Sequence, residues 1–111
     1  MKALINNGMV DGKPIIKAWE SFHGWYWLAT EKAWKQDSVI DSKVYKDDQI
    51  WFGLVIGLET EWGYFSQTEI ELLKPMTWEL KKSVIASLSI DRYTPTSSPP
   101  QGGYMESFIC P

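Results

Sequence analysis

The sequence predicts an α+β fold: an antiparallel sheet of about four or five strands with one or two short helices on one face. Three observations point there. Apolar residues alternate with period two at 14–20, 25–31 and 49–58. A helix-capping signature, Ser66-Gln-Thr-Glu69, stands just before an apolar run. Six prolines and eight glycines in 111 residues favour turns over long helices. A chain of this length forms one domain, expected at residues 1–93, followed by a Pro/Gly/Ser-rich irregular tail at 94–111.

The elements follow in order. Ala3-Leu4-Ile5, then Asn6-Asn7-Gly8 and Asp11-Gly12, read as a short edge hairpin, because Asn, Asp and Gly tolerate the positive φ of tight turns. Residues 14–20 form a strand opened by Pro14, which offers no ladder donor. A turn at 21–24 returns the chain into a strand at 25–31, with Trp25, Trp27, Ala29 and Glu31 on one side. Residues 32–48 are polar and read as a long loop with a short element around 39–45. Residues 49–58 are the strongest strand. Phe52, Leu54, Ile56 and Leu58 form its core face; Trp51, Gly53, Val55 and Gly57 form the other. The two glycines leave room there, for a neighbouring tryptophan by preference or else for a ligand. A turn at 59–60 leads to a short strand at 61–65. The helix at 67–74 is capped by Ser66, with Phe65 stapled against Ile70, and stops before Pro75. Residues 77–82 are ambiguous, and a second helix near Trp78 is one reading. From Ser83 to Tyr93 the apolar residues alternate, which favours a strand over a helix at 78–89. In the tail, Tyr104, Met105, Phe108 and Ile109 are positioned to dock on the body.

Charge and composition narrow the function classes. Eleven basic against fourteen acidic residues give a net charge of −3, with no general attraction to a phosphate backbone. The lysines are scattered, so nucleic acid is not the expected partner. Uncharged stretches in the body fall short of the roughly 20 residues a spanning helix needs. No secretory signal is visible near Lys2, so no membrane partner and a cytoplasmic location are expected. The lone cysteine, Cys110, fits a reducing compartment.

The chemistry-bearing residues are sparse. His23, the one histidine, sits in a turn without an adjacent orienting acid. No Cys/His spacing fits zinc, and no Gly-rich phosphate loop precedes a helix, so no cofactor is expected. Glu31, Asp48, Glu59 and Glu61 cluster near strand ends and form a weak candidate set for a hard divalent cation or an acid/base pair. The unusual feature is seven tryptophans. Most are expected in the core, but a fold this small has limited interior for seven indoles. Trp25, Trp27 and Trp62, with Tyr64, are the candidate binding residues.

Trp51-Phe-Gly-Leu-Val-Ile-Gly-Leu-Glu-Thr-Glu-Trp-Gly-Tyr-Phe-Ser-Gln-Thr-Glu-Ile70 resembles the central motif of DUF2958, a family of small uncharacterised proteins found often on plasmids and other mobile elements. Trp27-Leu-Ala-Thr-Glu31 is similar to the family's earlier aromatic-x-Ala-Thr-Glu segment. Ser89-Ile-Asp-Arg-Tyr-Thr-Pro95 is similar to its later acidic-Arg-aromatic-x-Pro segment. The resemblance implies a plasmid, mobile-element or virus-borne accessory protein and implies no catalytic residues.

Taken together, the sequence favours a non-enzymatic interaction module that binds a host protein through exposed aromatics. Two other readings stay open. One is a small carboxylate-based or divalent-metal-dependent enzyme built on the four acids. The other is a self-associating structural protein, that is, a homo-oligomer.

Overall fold

The computed structural model describes the backbone of residues 2–93 and the side chains of residues 5–89. The predicted tail at 94–111, with Cys110 and the four apolar residues expected to dock, lies outside the described residues. Among the described residues, nine strands and two short helices follow the order β1 (Lys2–Asn6), β2 (Met9–Val10), β3 (Lys13–Pro14), β4 (Lys17–Ser21), β5 (Tyr26–Ile40), β6 (Lys43–Ile56), β7 (Thr60–Ser66), α1 (Gln67–Glu71), β8 (Thr77–Glu79), α2 (Lys82–Ser87) and β9 (Ile90–Tyr93). The α+β class holds. The strands form two antiparallel sheets, β3-β2-β1-β9 and β7-β6-β5-β4-β8.

The small sheet begins with the expected hairpin. Asn7 and Gly8 turn β1 into β2, and Asp11 and Gly12 turn β2 into β3; all four have positive φ. Pro14 ends β3 instead of opening the next strand, and β4 starts at Lys17.

The long sheet is a wall between two cores. Cross-strand partners share a face. One row runs Ala18, Leu28, Leu54, Trp62; the next runs Trp19, Trp27, Val55, Glu61. On the first face, Ala18, Leu28, Leu54 and Ile56 pack with Ile5 and Val10 of the small sheet and with Ile85 of α2. On the second, Trp19, Trp27, Trp51, Val55 and Phe65 pack with Ile70 of α1. Each of the larger aliphatic and aromatic side chains contributes roughly 1.5–3 kcal/mol by leaving water. The helices therefore lie on opposite faces, not on one.

The central strand is buried on both sides. Gly53 and Gly57 explain how. A Cβ on Gly57 would meet the Trp25 ring at 2.5 Å, so a neighbouring tryptophan fills that space. A Cβ on Gly53 would meet the Leu28 carbonyl oxygen at 1.9 Å, beside the β5 bulge at Thr30. Leu58 lies past the strand end and is exposed.

Three further expectations are corrected. The polar segment 32–48 is not a loop; it is the distal half of the β5–β6 hairpin, turned by Asp41 and Ser42, both at positive φ. The alternation at 83–93 is not one strand. Residues 82–87 form α2, in which Ile85 alone is buried, and only β9 is extended. The capped helix is present but ends at Glu71, short of Lys74. The Ser66 hydroxyl accepts a hydrogen bond from the Glu69 amide at 3.1 Å. Phe65 and Ile70 share the second core, as a staple requires.

Candidate functional site

Phe52 of β6 and Tyr64 of β7 are direct cross-strand partners. Their rings meet edge-on at 5.0 Å. Trp62, two residues along β7, stacks on Phe52 at 6.0 Å. Trp34 of β5 stands opposite Ile50 and meets Tyr64 at 5.0 Å. The result is a continuous aromatic row, Trp34–Tyr64–Phe52–Trp62, on the face that carries the first core. Lys13 extends the row, with its ammonium 5.1 Å from the Trp62 ring centre.

Trp62 packs against the first core and marks the inner end of the row. Tyr64 and Phe52 are half-buried, and Trp34 is 40% exposed. Ring pairs of this kind are worth about 0.5–1.5 kcal/mol each beyond their area, which stiffens the row. The Trp34 indole N–H donates to the Gln36 side-chain oxygen at 2.9 Å, fixing its outer edge.

The four sequence candidates divide. Trp62 and Tyr64 lie in the row. Trp25 and Trp27 lie on the opposite face, 5.9 Å apart. Trp27 is completely buried in the second core and touches no solvent, so it leaves the candidate set. Trp25 is half-buried over Gly57 and is held by packing. Two members of the row were missed. Trp34 sits in the segment read as a loop, where no strand face exists to place it on. Alternation places Phe52 wholly on the core face, since a strict period of two cannot show where a covering layer stops.

The acidic set is not brought together. Asp48 is 1% exposed and committed: it accepts from the Ser38 and Ser66 hydroxyls at 2.6 and 2.5 Å and from the Thr68 amide at 3.0 Å. Glu31 pairs with Phe52, whereas Glu61 pairs with Val55, and Glu59 follows the far end of β6. Among the described residues, no group of three or more His, Cys, Asp or Glu is placed to hold a metal ion. Burial raises the Glu61 carboxyl above its ordinary value, and the Glu59 charge adds to the effect. His23 is exposed in the turn after β4, edge-on to Phe22 at 5.3 Å.

No described helix is long and apolar enough to cross a membrane. Comparisons of the chain with protein-family models, with curated proteins and with solved structures find no match.

Proposed function

We propose that this protein is a non-enzymatic interaction module that docks a protein partner on the row Trp34, Tyr64, Phe52 and Trp62. The observation that carries the reading is the contiguity of these four rings on one partly covered sheet face. Rigid aromatics with a polar edge lose little entropy on binding and dominate interface hot spots. The resemblance to DUF2958 supports an accessory factor of a mobile element or virus, acting on a host protein in the cytoplasm.

The test is capture from host extract with the immobilised full chain, compared with a Trp34→Ala/Tyr64→Ala variant whose folding is verified by circular dichroism. Both side chains are at least partly exposed, so the variant is expected to fold. Hot-spot truncations cost about 2 kcal/mol or more, so a partner retained by the parent should bind the variant more than about tenfold more weakly. Equal retention of every captured protein by the two chains would rule out the row as the docking surface.

A further inference from the structure

The opposite face of the long sheet carries a polar groove of about 500 Å³, lined by Lys17 of β4, Lys32 and Lys35 of β5, Gln49 and Trp51 of β6, and Gln67 of α1. The three lysines share this face because of the β5 bulges. Lys17 pairs with Ala29, Lys32 with Trp51 and Lys35 with Gln49, all in one register parity of β6 and its neighbours. Strict alternation from Ala29 would place Lys32 on the aromatic face. The bulge at Thr30 shifts it to the groove, and the bulge at Ala33 restores the original phase so that Trp34 returns to the row.

The groove is prepared on its inner side. The Trp51 indole N–H donates to the Gln67 side-chain oxygen at 3.0 Å, and the Gln67 amide donates to the Glu71 carboxylate at 3.1 Å. Glu71 also lines the groove, and this bond occupies one of its oxygens. Asp47 stands on the rim as the other acid. Lys17 is held by Glu79 at 3.0 Å, while Lys32 and Lys35 have no acidic partner among the described residues. Gln49 forms part of the groove wall. It is more than nine-tenths buried, its amide N–H groups donate to the Trp34 and Ile50 carbonyls, and its side-chain oxygen has no hydrogen-bond partner.

We infer that this groove binds a small phosphorylated ligand bearing hydroxyl groups, of the sugar-phosphate or nucleotide class. Lys32 and Lys35 supply point charges for phosphate oxygens. The Asp47 and Glu71 carboxylates on the groove lining supply acceptors for ligand hydroxyls. The volume falls in the range of small-molecule sites, about 300–1,000 Å³.

The test is calorimetry on the full chain at low salt with ribose 5-phosphate, ADP and pyrophosphate, with polyglutamate as a competing acidic peptide. We expect ribose 5-phosphate or ADP to bind, more tightly than pyrophosphate, and to weaken as salt is raised. Lys32→Gln/Lys35→Gln should weaken that binding about tenfold or more, since charge-assisted bonds to phosphate are lost. Both lysines are exposed, so the variant's melting temperature should match the parent's. The Trp34→Ala/Tyr64→Ala variant should bind the ligand unchanged, which separates this site from the aromatic row. No heat with any phosphorylated probe overturns the inference, as does affinity unaltered by the lysine double variant. Pyrophosphate binding as tightly as the sugar-bearing probes overturns the role of the Asp47 and Glu71 carboxylates. Polyglutamate binding more tightly than every phosphorylated probe overturns the ligand class.

Discussion

Asp48 and Glu61 are two carboxylates in one sheet with opposite circumstances. Asp48 is the more buried, yet three donors from β5, β7 and α1 surround it. It thereby ties the middle of the hairpin to the first turn of α1. The Ser66 hydroxyl gives its proton to Asp48 and receives the Glu69 amide, so a single oxygen serves both the carboxylate and the cap. Glu61 faces partial burial and the nearby charge of Glu59, which together raise its carboxyl above 4.5. Between the unfolded and the folded values, the folded protein holds a proton that the unfolded chain has already released. Stability associated with Glu61 is present below the unfolded value and is lost as pH rises through the folded one. Glu61→Gln removes that loss. The variant should melt higher than the parent at about pH 7, and the difference should vanish near about pH 3.5, where both states hold the proton. Melting curves across this range provide the check; a variant less stable than the parent at neutral pH would contradict the assignment.

At the scale of the element, the β5–β6 hairpin is the part the sequence conceals. Alternation is legible only where one face is buried and the other is not. Beyond the Ser38–Tyr45 pair the hairpin projects into solvent, and Val39 and Val44, paired across it, are 69% and 60% exposed. Nothing selects apolar residues on either side there, so the period of two disappears. Three register shifts in β5 scramble what remains. The same limit applies to α2, where six residues and one buried side chain leave too little pattern to separate a helix from a strand. By contrast, the cap at Ser66 and the staple of Phe65 on Ile70 are local chemistry and could be read directly. Trp62 and Tyr64 were legible as binding candidates because they alternate on a short strand; Trp34 was not, because its strand was not. The hairpin turn supplies a prediction. Ser42 has φ of 66°, a left-handed conformation that disfavours L residues. Ser42→Gly should raise stability by about 0.5–1 kcal/mol, the gain from relieved strain exceeding the entropy glycine adds to the unfolded chain. Urea unfolding reads it, and an unchanged or lower midpoint would show that the turn carries no such strain.

For the whole molecule, the consequence of a sheet buried on both faces is that its two cores share a single backbone. Leu54 and Val55 are adjacent on β6 and point into different cores, one against the small sheet and α2, the other among Trp19, Trp27 and Phe65. Neither core can lose its packing without weakening the strand that supports the other. Tryptophans report on both: Trp19, Trp27 and Trp51 line the second core, and Trp62 borders the first. We therefore expect cooperative unfolding in one transition. Leu54→Ala should cost about 2–5 kcal/mol, and Val55→Ala about half as much, in proportion to the carbon removed and the cavity left. In each variant, tryptophan fluorescence and far-ultraviolet circular dichroism should still report one midpoint in urea, displaced together. The decisive comparison is Val55→Ala. If its fluorescence midpoint fell below that of the backbone signal, the tryptophan-rich core would be melting ahead of the sheet, and the two faces would be separate cooperative units. Coincident curves in both variants mean that the aromatic row and the lysine groove are presented by one rigid body, so that each retains its geometry for as long as the other does.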